Sequence, residues 1–189
     1  SKIQEKKYDF ILIGGDLIDS SNFNLQALNE FKQLECPIYF VTGNHEYYIK
    51  NSSEFIQTLH NFNIQHISNS NKLFDDINLI GVDDNLSKES QTEIIYKKIN
   101  DDNFNLLLIH KPSVWVNIKE KIDLMLSGHT HNGQIFPFNF FVRLQFKFKY
   151  GLYNFKNNFL YVSSGSGPWG PKLRLGTRNE VILFNLNKK

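Results

Sequence analysis

Asp16, Asn44, His110, His129 and His131 are the side chains of this 189-residue sequence whose types suit a divalent metal ion. They stand in four short segments: Gly15-Asp16, Gly43-Asn44-His45-Glu46, the lone His110, and Gly128-His129-Thr130-His131. Carboxylate, amide and imidazole together fit Mn, Fe or Zn better than a thiolate-seeking ion, and residue type does not rank those three. One histidine, or one Gly-Asp after an apolar run, is ordinary turn chemistry. Four of the six histidines fall inside these segments, and clustering of that kind distinguishes a metal site from scattered turn residues.

Each segment follows an apolar run suited to a buried strand, at residues 10–13, 38–41, 106–109 and 124–126. In α/β proteins ligands bind at the carboxyl ends of parallel strands, so donors far apart in sequence can meet on one edge. His129 and His131 point apart only on a short turn, because a regular strand would send residues two apart in parallel directions. The rest of the pattern predicts helices near 24–34, 53–59 and 90–99, with Asn22 or Asn24 capping the first and Ser52 or Ser53 the second. Further strands are expected at 66–68, 77–82, 159–162 and 181–185. This alternation argues for an α/β layered domain with some antiparallel strands near the end.

Composition narrows the classes. At 189 residues, with 41% hydrophobic and 14% aromatic content, the chain buries a core as one domain, 1–189, without staples. A net charge of +2 with scattered lysines gives no footprint for nucleic acid. Cys36 stands alone, which excludes an intramolecular disulfide. No apolar run approaches the ~20 residues of a spanning helix. Residues 134–150 are peculiar: from Leu144 apolar residues alternate with Lys147 and Lys149, as in a strand with one apolar and one basic face. Either its phenylalanines pack on the core, or the segment is a lip beside the site that touches acyl chains or an anionic membrane surface.

The ordered set Asp16, Gly43-Asn44-His45-Glu46, His110 and Gly128-His129-Thr130-His131 resembles the calcineurin-like metallophosphoesterase superfamily. The tail Ser164-Gly165-Ser166-Gly167-Pro168-Trp169-Gly170-Pro171, with Arg174-Leu175-Gly176, is similar to a bacterial subgroup often anchored to membranes, which includes enzymes similar to UDP-diacylglucosamine hydrolases. The resemblance covers nearly the whole chain and implies a layered β-sandwich flanked by helices. The family's DxH motif, expected on a strand upstream of Gly15-Asp16, has no match, since residues 1–15 contain no histidine. The expectation is therefore an N-terminally incomplete domain without its first strand, prone to self-association, with any membrane anchor upstream of Ser1.

The resemblance also implies roles. Asp16 would bridge two divalent ions, Asn44, His110 and His129 would complete one site, and His131 would serve the other; one ion or none is expected to bind tightly here. His45, beside Asn44, would be the catalyst that is not a ligand, protonating a leaving oxygen, with Glu46 or a nearby acid orienting it. Arg174 is read both as a substrate-phosphate contact and as an exposed structural arginine. The implied reaction is hydrolysis of a phosphodiester or pyrophosphate by metal-activated water, with a nucleotide-linked lipid as one substrate class. The alternative is a catalytically impaired remnant that binds metal or partners. The expected location is the cytoplasm or the periphery of the cytoplasmic membrane.

Overall fold

A computed structural model describes residues 7–20 and 23–187. Two sheets form the framework. The first is parallel, ordered β1 (Ile11–Ile13), β2 (Ile38–Phe40), β3 (Ile64–His66). The second has six strands, ordered β4 (Ser70–Phe74), β5 (Ile77–Val82), β6 (Phe104–Ile109), β7 (Leu124–Ser127), β9 (Asn158–Val162), β8 (Gly151–Phe155). Strands β5, β6, β7 and β9 run parallel; β4 and β8 close the edges antiparallel.

Alternation along each strand divides its side chains between two buried layers. Tyr39 and Val41 of the β2 region meet Leu79, Leu106, Leu108 and Leu124 between the sheets. Ile38 and Phe40 point the other way, onto Leu28, Phe55 and Leu59. Those residues belong to the 3-10 helix Leu25–Gln33, to α1 (Ser52–Thr58) and to the 3-10 turn that follows α1. Leu107, Ile109 and Met125 face Ile95 of α2 (Lys88–Lys98) and Trp115 and Ile118 of α3 (Trp115–Ile118). The result is a β-sandwich with helices on both outer faces, the expected α/β architecture. Asn24 caps the first helix by accepting from Gln26 N, and Ser87 caps α2 through Ser90 N.

Two expected strands are corrected. The alternation from Leu144 is not a strand: Leu144 and Gln145 end a helix, α4 (Phe138–Gln145), and residues 146–150 join no ladder. Pro137 fixes φ immediately before the helix's first turn, Asn139 packs against Gly133, and Val142 is buried. Residues 181–185 join no ladder. Phe184 still packs between the sheets and meets Tyr161 edge-on at 5.5 Å. Among the described residues no helix is long and apolar enough to cross a membrane.

Candidate metal centre

Strands β1, β2, β6 and β7 all end on the same edge; the loops that leave the first three carry one predicted donor each, and the loop after β7 carries two, His129 and His131. After β1 the chain turns through Gly15 (φ 90°) into Asp16 (φ 54°); after β2 it passes through Gly43 into Asn44. The two loops press together. A Cβ on Gly15 would lie 2.6 Å from Gly43 N and 2.7 Å from His110 Nδ1, and a Cβ on Gly43 would lie 2.6 Å from Asp16 N, so only glycine permits the approach.

Glu46 holds the two loops in register. Its wholly buried carboxylate accepts from Leu17 N at 2.7 Å and Ile18 N at 3.3 Å through Oε1, and from Asp16 N at 3.0 Å and Gly43 N at 2.7 Å through Oε2. Burial pushes its pKa up, while the Gly43 N–H draws it back. The acid beside the His45 imidazole is instead Asp16, whose Oδ2 lies 3.9 Å from Nε2 and whose Oδ1 accepts the His45 backbone N–H at 2.9 Å.

His110, 2% exposed, reaches across from the second sheet. Its Nδ1–H donates to Gly14 O at 2.8 Å, which turns Nε2 toward Asp16 Oδ2 at 3.0 Å and His129 Nδ1 at 3.1 Å. A backbone carbonyl on the far nitrogen is the usual device for presenting the other nitrogen to a metal. Burial opposes charge on His110, but Asp16 outweighs it and raises the imidazole pKa. Burial likewise works to raise Asp16, yet His110 and His45 hold it at about 2. His129 is pushed down to about 3 by burial and by the charges of His110 and Lys111, so it is a neutral donor across the ordinary pH range. Single donor atoms of Asp16, His110 and His129 all lie within 4.8 Å of one another.

Asn44 supplies the observation that tests the fit of an ion. Its Nδ2 donates to Tyr48 OH at 3.3 Å, while Oδ1 is buried with no hydrogen-bond partner. An orphaned buried acceptor costs about 1–3 kcal/mol, and a cation relieves it. The donor set on this edge, carboxylate, amide and two imidazoles, therefore fits a divalent ion.

His131 is separated from His129 by the turn that the spacing requires. Positive φ at His129 (71°), His131 (48°), Asn132 (53°) and Gln134 (48°) makes this a strained turn, a backbone state that persists where surrounding contacts enforce it. Arg174 supplies such contacts. Its Nη1 donates to His131 O at 3.0 Å, its Nη2 donates to Ser164 O and Gly167 O at 2.6 Å, and Nη2 lies 3.3 Å from His131 Nδ1. Burial and the Arg174 charge lower the His131 pKa. The structure thus brings Asp16, His110 and His129 together, sets Asn44 and His45 on the adjoining loop, and turns His131 toward Arg174.

Residues 1–133 match the sequence model of the calcineurin-like phosphoesterases, more than half of the chain. The chain belongs to the calcineurin-like phosphoesterase family. Relatives agree: an uncharacterized metallophosphoesterase of Helicobacter pylori is 37% identical over 202 residues, covering all of this chain and 54% of that protein. A Bos taurus transmembrane protein with a metallophosphoesterase domain is 36% identical, over 94% of this chain and 46% of its own length. An uncharacterized metallophosphoesterase of Aquifex aeolicus is 28% identical over 98% of this chain and 76% of its own length. The chain spans about half the length of the first two.

Two supports of this phosphoesterase edge escaped the sequence reading. Asp83, just past β5, accepts from Tyr47 OH at 2.6 Å, Thr42 Oγ1 at 3.0 Å and Asn85 N at 2.8 Å, tying the His45–Tyr47 turn to the second sheet. Asp84 takes Lys111 Nζ at 2.6 Å, fixing the residue after His110. The sequence signal available was an acidic pair at the end of a buried strand, in the same place as the donors.

Proposed function

We propose that residues 1–189 form the hydrolytic domain of a metal-dependent phosphoesterase that cleaves a phosphodiester or pyrophosphate with water. The observation that carries this reading is the meeting of Asp16, His110 and His129, with donor atoms within 4.8 Å, beside the orphaned Asn44 Oδ1. These four side chains would hold one divalent ion, Mn, Fe or Zn; His131 is the donor left for a second. A bound ion supplies Lewis acidity toward the phosphoryl group and makes water a nucleophile near neutral pH.

The chain's own residues supply the rest. Asp16 is ionised at neutral pH and accepts the His45 N–H, so it orients the loop that carries His45. His45 is mostly buried, 14% exposed at its side chain, and edge-on to Tyr48 at 5.4 Å. In this reading its Nε2 gives a proton to the departing oxygen, a contribution of typically ~10²–10⁴-fold. Arg174 positions His131 and borders the substrate.

A lipid-linked substrate, such as a nucleotide-linked lipid, is supported by the apolar surface next to the centre. Phe136, Phe140, Phe141 and Leu144 of residues 134–150 are exposed, and Phe146 meets the His129 ring at 5.7 Å. We read this as a membrane-surface contact; self-association through the same face is the competing use of the exposed rings.

Turnover of bis(4-nitrophenyl) phosphate by Mn-loaded protein tests the reading. Saturable hydrolysis is expected, abolished by EDTA and by His129→Ala. Stoichiometric ion binding with no turnover on this or any diphosphate diester would refute it and leave a metal-binding module.

A further inference from the structure

We propose that the Tyr48 hydroxyl is a further catalytic group, donating a hydrogen bond to an oxygen of the phosphoryl group under attack. This deepens the hydrolytic reading above and rests on it. Tyr47 and Tyr48 are neighbours in sequence with opposite surroundings. Tyr47 turns toward the second sheet, where its O–H is taken by Asp83 at 2.6 Å. Tyr48 is 72% exposed, yet its backbone is fixed. Its N–H donates to His45 O at 3.0 Å, closing the 3-10 turn His45–Tyr47, and Ile49 beyond it is buried. An exposed ring on a fixed backbone, beside two residues of the centre, is placed to meet a ligand.

Two side-chain contacts tie Tyr48 to the centre. Its ring meets the His45 imidazole edge-on at 5.4 Å, and its Oη accepts the Asn44 Nδ2–H at 3.3 Å. The second contact decides what the hydroxyl has left to offer. A phenol has one proton to donate, and an oxygen accepting from the amide presents that proton on another side. Among the described residues no acceptor takes it. The other end of the same amide is Asn44 Oδ1, the orphaned buried acceptor that an ion would relieve. With Oδ1 on the ion, Nδ2 must face Tyr48, because the opposite orientation would set N–H donors against a cation.

A row of groups results: ion, Asn44 amide, Tyr48 hydroxyl, with one unspent donor at its outer end. Bonds in such a row polarise one another, so a hydroxyl that accepts from an amide on a cation is a stronger donor. A phosphoryl group held on the ion and reached by His45 is flanked by both residues that Tyr48 touches. Its oxygens carry the charge that a fixed donor stabilises. Removing one enclosed donor of this kind costs ~10²–10³-fold in turnover, and water can partly replace an exposed one, so Tyr48 is worth about ten- to a hundredfold.

The test is Tyr48→Phe, which removes Oη alone and leaves the ring beside His45. Wild type and variant are compared at saturating Mn with bis(4-nitrophenyl) phosphate, and Mn affinity and melting temperature are measured on both. The kcat/KM is expected to fall about ten- to a hundredfold with kcat falling too, at full Mn content and an unchanged melt. Binding of inorganic phosphate to the Mn-loaded protein, measured by calorimetry, is expected to weaken about three- to tenfold, as for one hydrogen bond. Turnover and phosphate binding both unchanged overturn the donor. A variant whose Mn affinity falls while its turnover at saturating Mn matches wild type also overturns it, since Tyr48 then serves Asn44 alone. If wild type turns nothing over but binds phosphate, and Tyr48→Phe loses that affinity, the donor stands and the hydrolytic reading falls.

Discussion

Replacing Glu46 by Gln tests the claim that one buried carboxylate assembles the centre. Glu46 accepts four backbone N–H groups, two per oxygen, and three of the four bonds are 3.0 Å or shorter. Gln keeps one acceptor oxygen and puts an NH₂ where the other stood. Two buried N–H donors then face a donor and lose their partner. Each costs about 1–3 kcal/mol, so the variant is expected to lose about 2–6 kcal/mol of stability. That is a large share of the roughly 5–15 kcal/mol that holds a domain folded, yet it leaves a folded population to measure. Glu46→Ala removes all four acceptors and is expected to exceed the reserve.

The same substitution loosens the two loops on which Asp16 and Asn44 stand, without touching either side chain. Losing such an outer support costs about 10–100-fold in metal affinity. Urea unfolding of EDTA-treated protein measures the first effect, and Mn titration calorimetry the second. A stability loss below about 0.5 kcal/mol would refute the clamp, since two orphaned donors cannot cost so little. A large loss of stability with unchanged Mn affinity would show that Glu46 supports the fold but not the ligand geometry.

Further outcomes follow from the same geometry. His45→Ala is expected to lower turnover by ~10²–10⁴-fold with Mn content retained, whereas His129→Ala lowers both; elemental analysis beside the rate assay separates them. Asn44→Ala deletes the orphaned Oδ1, so it is expected to weaken ion binding while leaving the metal-free protein no less stable; thermal melts with and without Mn read the two signs. Because Asp16 raises the His110 pKa, ion binding near pH 6.5 should release a proton from His110; release should fade as pH rises through that raised pKa, seen as buffer-dependent calorimetric heats. Phe140→Asp/Leu144→Asp should reduce co-sedimentation with anionic vesicles at unchanged kcat for bis(4-nitrophenyl) phosphate; unchanged sedimentation would remove the membrane contact.

What could be seen in the sequence was decided by burial on two faces. Strands β2, β5, β6 and β7 are covered by the other sheet on one side and by helices on the other, so they read as mostly apolar runs followed by Gly, Asp or His. The edge strands Ser70–Phe74 and Gly151–Phe155 were not seen, because only some of their residues are covered and no run of apolar letters results. The stretch from Leu144 misled because Leu, Phe and Tyr alternating with Lys147 and Lys149 have a strand's period, whereas Leu144 and Gln145 end the helix. Pro137 at the helix start and the buried Val142 favour the helix, and neither stands out among the six phenylalanines of residues 134–150.

The site divides in the same way. Donor types are written in single letters, so Asp16, Asn44, His110 and His129 could be named from their positions after strands. Their supports are backbone groups, which have no letter. The four N–H groups on Glu46, the Gly14 carbonyl on His110 and the three carbonyls on Arg174 exist only once the loops are folded. Glu46 shows the consequence: an acid after Gly-Asn-His reads as a partner for histidine, whereas the folded loops leave four amide donors whose only satisfaction is that carboxylate. The identity of the candidate donors is thus a property of the sequence, and their distances are a property of the backbone hydrogen bonds that bring two sheets to one edge.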